Sequence, residues 1–495
     1  MTATALARSF GPAVRITLLE SEEIGTVGVG EATIPTIHWF NELIGLDEAE
    51  FLRATKASFK LGIEFVDWLH PGHRYFHPFG EFGARLPGVA FHHRWFKARA
   101  AGLDLPLSAF SLAGRLAADN RFAKPTGDAR SILSTLGYAY HFDASLYAKH
   151  LSGIAEAAGV VRVEGKLGKV DRDVQTGFVS ALTTERGERL DGDLFIDCSG
   201  FRALLIDGAM EGTFEDWSHW LPCDRAVAVP CARVAETTPY TRSTARSAGW
   251  QWRIPLQHRT GNGYVYASRF ISDDEAAATL LANLDGEALA EPRMLRFKAG
   301  TRRQAWIGNV VAIGLSSGFL EPLESTSIHL IQSGIAKLLT LFPDRDCDPA
   351  LADQFNALLN ADMDGIKDFL ILHYHAQHRT EPMWVERREM RLPESLIARE
   401  AQYRRSGRLM LGSDELFRDA SWLAVLAGQG ITAENYNPLA DILDPATNMA
   451  QVRQIADVIA RAAPTLPRHD DALAKAMAGA AAGAAAGAMA GAGAG

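Results

Sequence analysis

The sequence predicts a mixed α/β fold of the dinucleotide-binding kind with a mostly helical module packed on it, and three stretches carry that prediction. In the opening segment Ala3, Leu6, Ala7 and Phe10 recur at helical spacing, Gly11 and Pro12 stop the helix, and a short apolar run from Arg15 to Leu19 ends on Glu20. Helix, turn, strand and acid form the second half of a βαβ unit, whose strand-end acid accepts a hydrogen bond from a ribose. The stretch DLFIDCSG, Asp193 to Gly200, is a buried strand emptying into a glycine turn. Further on, a buried strand from Val310 to Ile313 runs into a glycine-rich loop and then a helix with Ile328, Ile331, Ile335 and Leu338 on its apolar face. Strand, glycine loop and helix N-terminus together accommodate an anion.

The remaining elements follow in order. Asp143 is placed to cap a helix carrying Leu146, Leu151, Ile154 and Ala155, and after Gly159 the apolar runs around Val161, Val170 and Val179 read as strands. From Pro349 to about Ala463 the pattern is helical and rich in aromatics, as expected of a module that covers a pocket. The expected division is a nucleotide-binding module over 1–345 with inserted pocket segments, a helical module over 346–466, and a disordered tail over 467–495. That tail ends in alanine and glycine that bury too little side chain to repay ordering entropy. A first strand and a G-x-G-x-x-G loop are expected ahead of TATALARSF and do not stand there. An internal Met taken as the start accounts for this; a molecule made this way would lack backbone amides for a pyrophosphate.

Charge narrows the partners. A formal net charge of −9, with Lys and Arg dispersed, gives no electrostatic footprint for nucleic acid or an anionic membrane surface, so the expected ligand is small. Cys198, Cys223, Cys231 and Cys347 show no C-x-x-C spacing and read as reduced thiols of a cytoplasmic protein, with neither a signal peptide nor a membrane span in the sequence. His373, His375 and His378 in HYHAQH suggest a metal at first sight, but alternate residues on a helix point apart, so no metal site is expected. No nucleophile elbow with a Ser/His/Asp set is present.

The most specific signal is WQWRIP, Trp250 to Pro255. By itself it reads as an edge strand with two aromatics on one face. It shares the chain with GVGEATIP (28–35), ASFKLGIEF (57–65), HPFG (77–80), DCSGFRALLI (197–206) and GFLEPLEST (318–326). Together these resemble the flavin-dependent tryptophan halogenases from Met1 to roughly Asp444, and W-x-W-x-I-P separates that family from ordinary flavin monooxygenases. The resemblance implies an FAD-binding fold of the flavin monooxygenase type. It also implies reduced FAD from a separate flavin reductase, oxygen, chloride or bromide, a hypohalous acid passed through the protein to a lysine, and a homodimer.

Site residues follow from the residues and the resemblance together. Glu20 is the ribose acceptor, against a solvated strand-end acid. Gly28 and Gly30, with Glu31 and Ala32, suit a strap over an isoalloxazine, by resemblance linking the flavin and halogenation sites. Gly314, Leu315 and Ile328 would lie along the flavin, and Leu167 against its adenine half. Lys60, which on a helix would ordinarily be a snorkelling surface charge, is set among Phe59, Ile63 and Phe65, and burial lowers an amine pKa. By resemblance Lys60 is catalytic, as a hypohalous acid donor or a haloamine, and Glu324 faces it across the substrate and accepts the arene proton. Glu324 alone would read as a helix-capping acid. Thr326 and Ser327 sit where helix amides bind halide, although many family members carry glycine where Ser327 stands.

His77, Pro78 and Phe79 form an aromatic wall for an indole by resemblance, against an ordinary core turn. Where tryptophan-specific members place two tyrosines and an acid, this chain has Ser421 and Trp422 and, near the acid's place, Gly428. A zwitterion would there leave charges unpaired in a dry pocket, so indole or a larger indole-bearing molecule is expected over free tryptophan. Two rivals stand beside the halogenase: a flavin monooxygenase hydroxylating its arene, and an inactive binding protein with an incomplete FAD site.

Overall fold

In the computed structural model, which describes residues 1–24, 31–84, 88–234 and 236–478, the opening helix forms over Thr2–Phe10 and buries Ala5, Leu6 and Ala7. It stops at Gly11, whose φ of 52° only glycine adopts without strain, and the strand Thr17–Glu20 follows. That strand pairs in parallel with Val161–Glu164, reached through the helix Ala144–Ala157, which Asp143 caps by accepting from the amides of Ser145 and Leu146. A second parallel pair joins Phe195–Asp197 to Val310–Ala312. The strands predicted around Val170 and Val179 appear as Leu167–Arg172 and Val179–Thr184 in a small antiparallel sheet with Arg189–Asp191.

A seven-stranded sheet carries the other half of the site. Its order is Arg293–Arg296, Arg225–Cys231, Thr260–Tyr266, Gly249–Pro255, Thr241–Arg246, Gly62–Val66 and Arg74–Pro78. The WQWRIP strand is therefore central, not an edge, and all seven of its residues are buried. Gly263 makes room for it: a Cβ there would stand 2.1 Å from the Trp252 ring. At the sheet's far end Gly62 lets its strand close on the next one, since a Cβ would stand 2.2 Å from the His77 carbonyl. A three-stranded sheet of Glu31–Ala32, Ala139–Phe142 and Ser58–Lys60 lies alongside in sequence and supplies the lysine.

Two large hydrophobic cores, with two small satellite clusters among the described residues, hold these parts, and each large core draws on both ends of the chain. The long helix Pro349–His375 gives Phe355 and Leu359 to one, and Met363, Ile366, Phe369, Leu370, Ile371 and Leu372 to the other. The expected tail begins too early at Pro467. Residues 469–478 are helical, His469 and Leu473 are buried, and His469 Nδ1 donates to the Thr237 carbonyl at 2.7 Å while its ring meets Phe59 and Phe122 edge-on. A segment poor in apolar residues orders here because it borrows a surface made by distant residues, which composition does not reveal. Residues 479–495 lie outside the described residues. Among the described residues no helix is long and apolar enough to cross a membrane.

Candidate active site

Lys60 ends the strand Ser58–Lys60, so the alternative of a lysine snorkelling from a helix does not arise. The strand is buried throughout, flanked by Phe59 and Leu61, and the ammonium is fully enclosed. It donates to the Thr33 carbonyl at 3.0 Å and to Ser325 Oγ at 2.8 Å, and stands 4.8 Å from the centre of the Phe79 ring. Burial pulls the amine down to about 7 against the opposing charge of Glu324.

The acceptor loop runs from the strand Gly318–Phe319 through the turn Pro322–Glu324 to the helix Ser327–Thr340. Glu321 anchors it: its Oε2 accepts from Trp250 Nε1 at 2.9 Å and from the Tyr374 hydroxyl at 2.6 Å, and burial raises its carboxyl to about 7. This contact gives the first Trp of WQWRIP its local function. Ser325 is left-handed, φ 60°, an uncommon conformation for a side chain of this kind, and it turns its hydroxyl to Lys60.

Glu324 is held from both sides. His77 Nδ1 lies 2.8 Å from Oε2 and His373 Nε2 lies 2.8 Å from Oε1, the latter off a well-aligned hydrogen bond. Burial alone would raise this carboxyl, but the imidazoles of His77 and, next, His373 against it win and hold it at about 2. The structure thus brings Lys60 and Glu324 to neighbouring positions through Ser325, with Glu324 clamped by two imidazoles. His373, set aside in the sequence as part of a doubtful metal motif, is one of them; among the described residues no group of three or more His, Cys, Asp or Glu is placed to hold a metal.

At the start of the helix Ser327–Thr340, the N-cap residue Thr326 makes no side-chain cap, and its buried Oγ1 has no hydrogen-bond partner. The free amides of this first turn and the orphaned hydroxyl suit an anion. Ser327 and Ile328 open the same turn, half-buried. Beside them Gly314 turns at φ 77° under Ile331, to whose side chain an added Cβ would come within 3.1 Å, and Leu315 continues the turn. These features fit a planar anionic cofactor and its halide.

Of the other expected flavin residues, the described ones belong to separate elements. Gly28 and Gly30 lie outside the described residues. Glu31 and Ala32 form a short strand paired with Phe142 and His141, and burial raises the Glu31 carboxyl to about 7. Glu20 sits exposed at its strand end, with Arg162 Nε 2.5 Å from its carboxylate. Leu167 begins a strand of the small antiparallel sheet, half-buried against the core.

A cavity of about 670 Å³ opens in front of this cluster, and His77, Pro78 and Phe79 are in its wall. Lys60 and Glu324 stand behind that wall. Trp422 does not reach the cavity: its ring is buried edge-on to Phe369 at 5.0 Å beneath the Arg399 guanidinium. Helical phase explains the miss, for Ser421 lines the cavity and the next residue turns inward. Phe82, Phe91 and Phe417 supply the aromatic surface, and Phe417 stacks on Phe369 at 3.9 Å. Asp419 also lines the cavity, nine residues before Gly428. No local pattern distinguished Phe417 or Asp419, while a left-handed serine after a glutamate leaves no sequence signal at all.

Lys60 and Glu324, joined through Ser325 behind the aromatic wall of the cavity, suit chemistry on an aromatic compound. The chain belongs to the tryptophan halogenase family, whose model matches residues 1–445. It is 36% identical over 496 aligned residues to the tryptophan 6-halogenase SttH of Streptomyces toxytricini, covering 94% of each chain. Its fold superposes with a TM-score of 0.92 on BrvH, a flavin-dependent halogenase from Brevundimonas sp. BAL3, at 45% identity and 96% coverage of both chains. It superposes equally, 0.92, on Xcc4156, a flavin-dependent halogenase from Xanthomonas campestris, at 44% identity, covering 96% of this chain and 95% of that one.

Proposed function

We propose that the protein is a flavin-dependent halogenase that uses reduced FAD, oxygen and chloride or bromide to halogenate an indole-type arene through hypohalous acid held at Lys60. The observation that supports this reading above the others is the enclosed ammonium of Lys60, bonded to Thr33 and Ser325 directly behind Phe79 of an aromatic cavity. A hydroxylating monooxygenase has no use for such an amine.

Reduced FAD, when bound, supplies the activation of oxygen that oxidises halide. The protein's part is binding and delivery. Gly28, Gly30, Glu31 and Ala32 would strap the flavin, Gly314, Leu315 and Ile328 would line it, and Glu20 and Leu167 would meet its ribose and adenine. Thr326 and Ser327 offer the halide an orphaned hydroxyl and free amides. Lys60, poised near neutrality, hydrogen-bonds hypohalous acid and gives its oxygen a proton as the halogen leaves. The closed surroundings keep the oxidant from water. His77, Pro78 and Phe79, joined by Phe417, stack the arene.

The substrate is indole or a larger indole-bearing molecule in preference to free tryptophan, a separate flavin reductase supplies FADH2, and the protein works as a homodimer. Incubation with reduced FAD, oxygen, bromide and indole should give bromoindole, read by the paired bromine isotope masses. Lys60→Ala should abolish it while hypobromite, trapped by an activated diketone, still forms. Oxygenated indole formed without halide would establish the monooxygenase instead, and protein that stays colourless with FAD would point to the inactive binder.

A further inference from the structure

Proton bookkeeping around Glu324 singles out a different base for the last chemical step. His373 Nδ1 lies 2.8 Å from the Phe369 carbonyl, which only accepts, so that nitrogen carries hydrogen. Its Nε2 then faces Glu324 Oε1 at 2.8 Å, in contact but off hydrogen-bond alignment. The other carboxylate oxygen receives Nδ1–H of His77 at 2.8 Å. The two oxygens of Glu324 thus face the two imidazoles, and Glu324 is not among the residues that line the cavity. His77 is different. In the neutral form that carries its hydrogen on Nδ1, Nε2 keeps a lone pair, and the residue forms part of the cavity wall.

Resting on the halogenase reading, we propose that His77 Nε2 is the catalytic base that removes the arene proton, with Glu324 and His373 as positioning residues that fix its tautomer and stabilise the imidazolium. The arrangement repeats the logic by which a buried carboxylate orients a histidine base. The geometry also separates the two halves of the substitution, because Lys60 and His77 flank Phe79: the amine is 4.8 Å from that ring and the imidazole ring 6.3 Å. In the step itself the carbon–halogen bond forms as the oxygen–halogen bond of hypohalous acid breaks, and the departing oxygen takes a proton from the Lys60 ammonium to leave as water. The ring's C–H bond then breaks, its electron pair restores aromaticity, and the proton goes to His77 Nε2. Return of that proton to the Lys60 amine closes the cycle, so arene and hypohalous acid become haloarene and water.

The test uses full-length protein with reduced FAD, oxygen, bromide, and indole or indole deuterated on its ring carbons. Two variants are compared: His77→Asn, whose amide can still donate to Glu324, and His77→Phe, which keeps an aromatic wall. Trapped hypobromite should match the wild type in both. Bromoindole formation should fall roughly 100-fold, the scale of a lost general base, with a primary deuterium isotope effect absent from the wild type and partial rescue by added imidazole. Slow bromination without isotope effect or rescue would make His77 a stacking wall only and overturn the proposal, as would wild-type rates in both variants. Wild-type protein that forms no hypobromite would instead bring down the halogenase reading and this inference with it.

Discussion

The ammonium of Lys60 meets the hydroxyl of Ser325 at 2.8 Å, one residue beyond Glu324 and thus across 265 positions of chain. The contact depends on Ser325 holding the left-handed conformation, φ 60°, so backbone strain is what aims this acceptor. Ser325→Gly should relieve the strain and raise the melting temperature, yet slow indole bromination about 10-fold, as expected when a charged hydrogen bond is lost. Ser325→Ala should slow it equally without the gain in stability. Bromination unchanged in both variants would show that Lys60 is placed by Thr33 alone.

Lys60 itself carries a second prediction, about stability. Its amine is held near 7 in the fold against an ordinary 10.5, so the folded protein pays to keep the ammonium below pH 7. Between about 7 and 10.5 the unfolded chain binds the extra proton, and folding stability from this group rises with pH by up to roughly 5 kcal/mol. Lys60→Met should therefore be at least as stable as the wild type at pH 6, with a difference that shrinks as pH climbs through that window. Denaturant titrations at pH 6 and 9 measure it; a gap that widens toward pH 9 would contradict the buried charge.

Much of the framework was legible beforehand because local signals coincided with the final packing. Asp143 capped the helix it was assigned, Gly11 ended the first helix, and the strands at Val161, Val310 and Phe195 obeyed apolar runs with glycine stops. What escaped was set by contacts distant in sequence. The central place of WQWRIP depends on Gly263 and on the strand from Thr241, the inward turn of Trp422 on the phase of its helix, and the ordering of His469 on Phe59 and Phe122. Lys60 and Glu324 were found through a family motif, whereas the role of His373 required seeing Phe369 and Glu324 on either side of one ring.

The cavity makes a prediction about substrate. Its wall is aromatic through Phe79, Phe82, Phe91 and Phe417, with Ser421 in the wall and Trp422 turned inward. Binding the charged ends of free tryptophan without full partners costs on the order of 2 kcal/mol or more. Competition between indole and tryptophan in one reaction should thus favour bromoindole by at least roughly 10-fold, measured by the ratio of brominated masses. A preference for tryptophan would mean that Asp419 and Arg418 in the cavity wall serve its two ends.

Trp250 and Glu321 tie the WQWRIP strand to the loop that carries Glu324. Glu321 Oε2 accepts from both the Trp250 indole and the Tyr374 hydroxyl, while Oε1 is buried without a partner. Trp250→Phe removes one of those donors and should destabilise the protein by about 1–3 kcal/mol, the scale of a buried carboxylate losing a hydrogen bond. The sign of the pH dependence follows from the raised carboxyl, about 7 against an ordinary 4.5. Between those values the folded state holds a proton that the unfolded chain has released, so stability from this group falls as pH rises from about 4.5 to 7 and the penalty is complete above. Glu321→Gln keeps an acceptor for Trp250 and Tyr374 without a charge. Its stability should match the wild type near pH 5 and exceed it at pH 8, and because Glu31 and Lys60 are unchanged, the difference between the two curves isolates this one carboxyl. Parallel curves from pH 5 to 8 would show that Glu321 is ionised throughout and that its unpaired oxygen has found another partner.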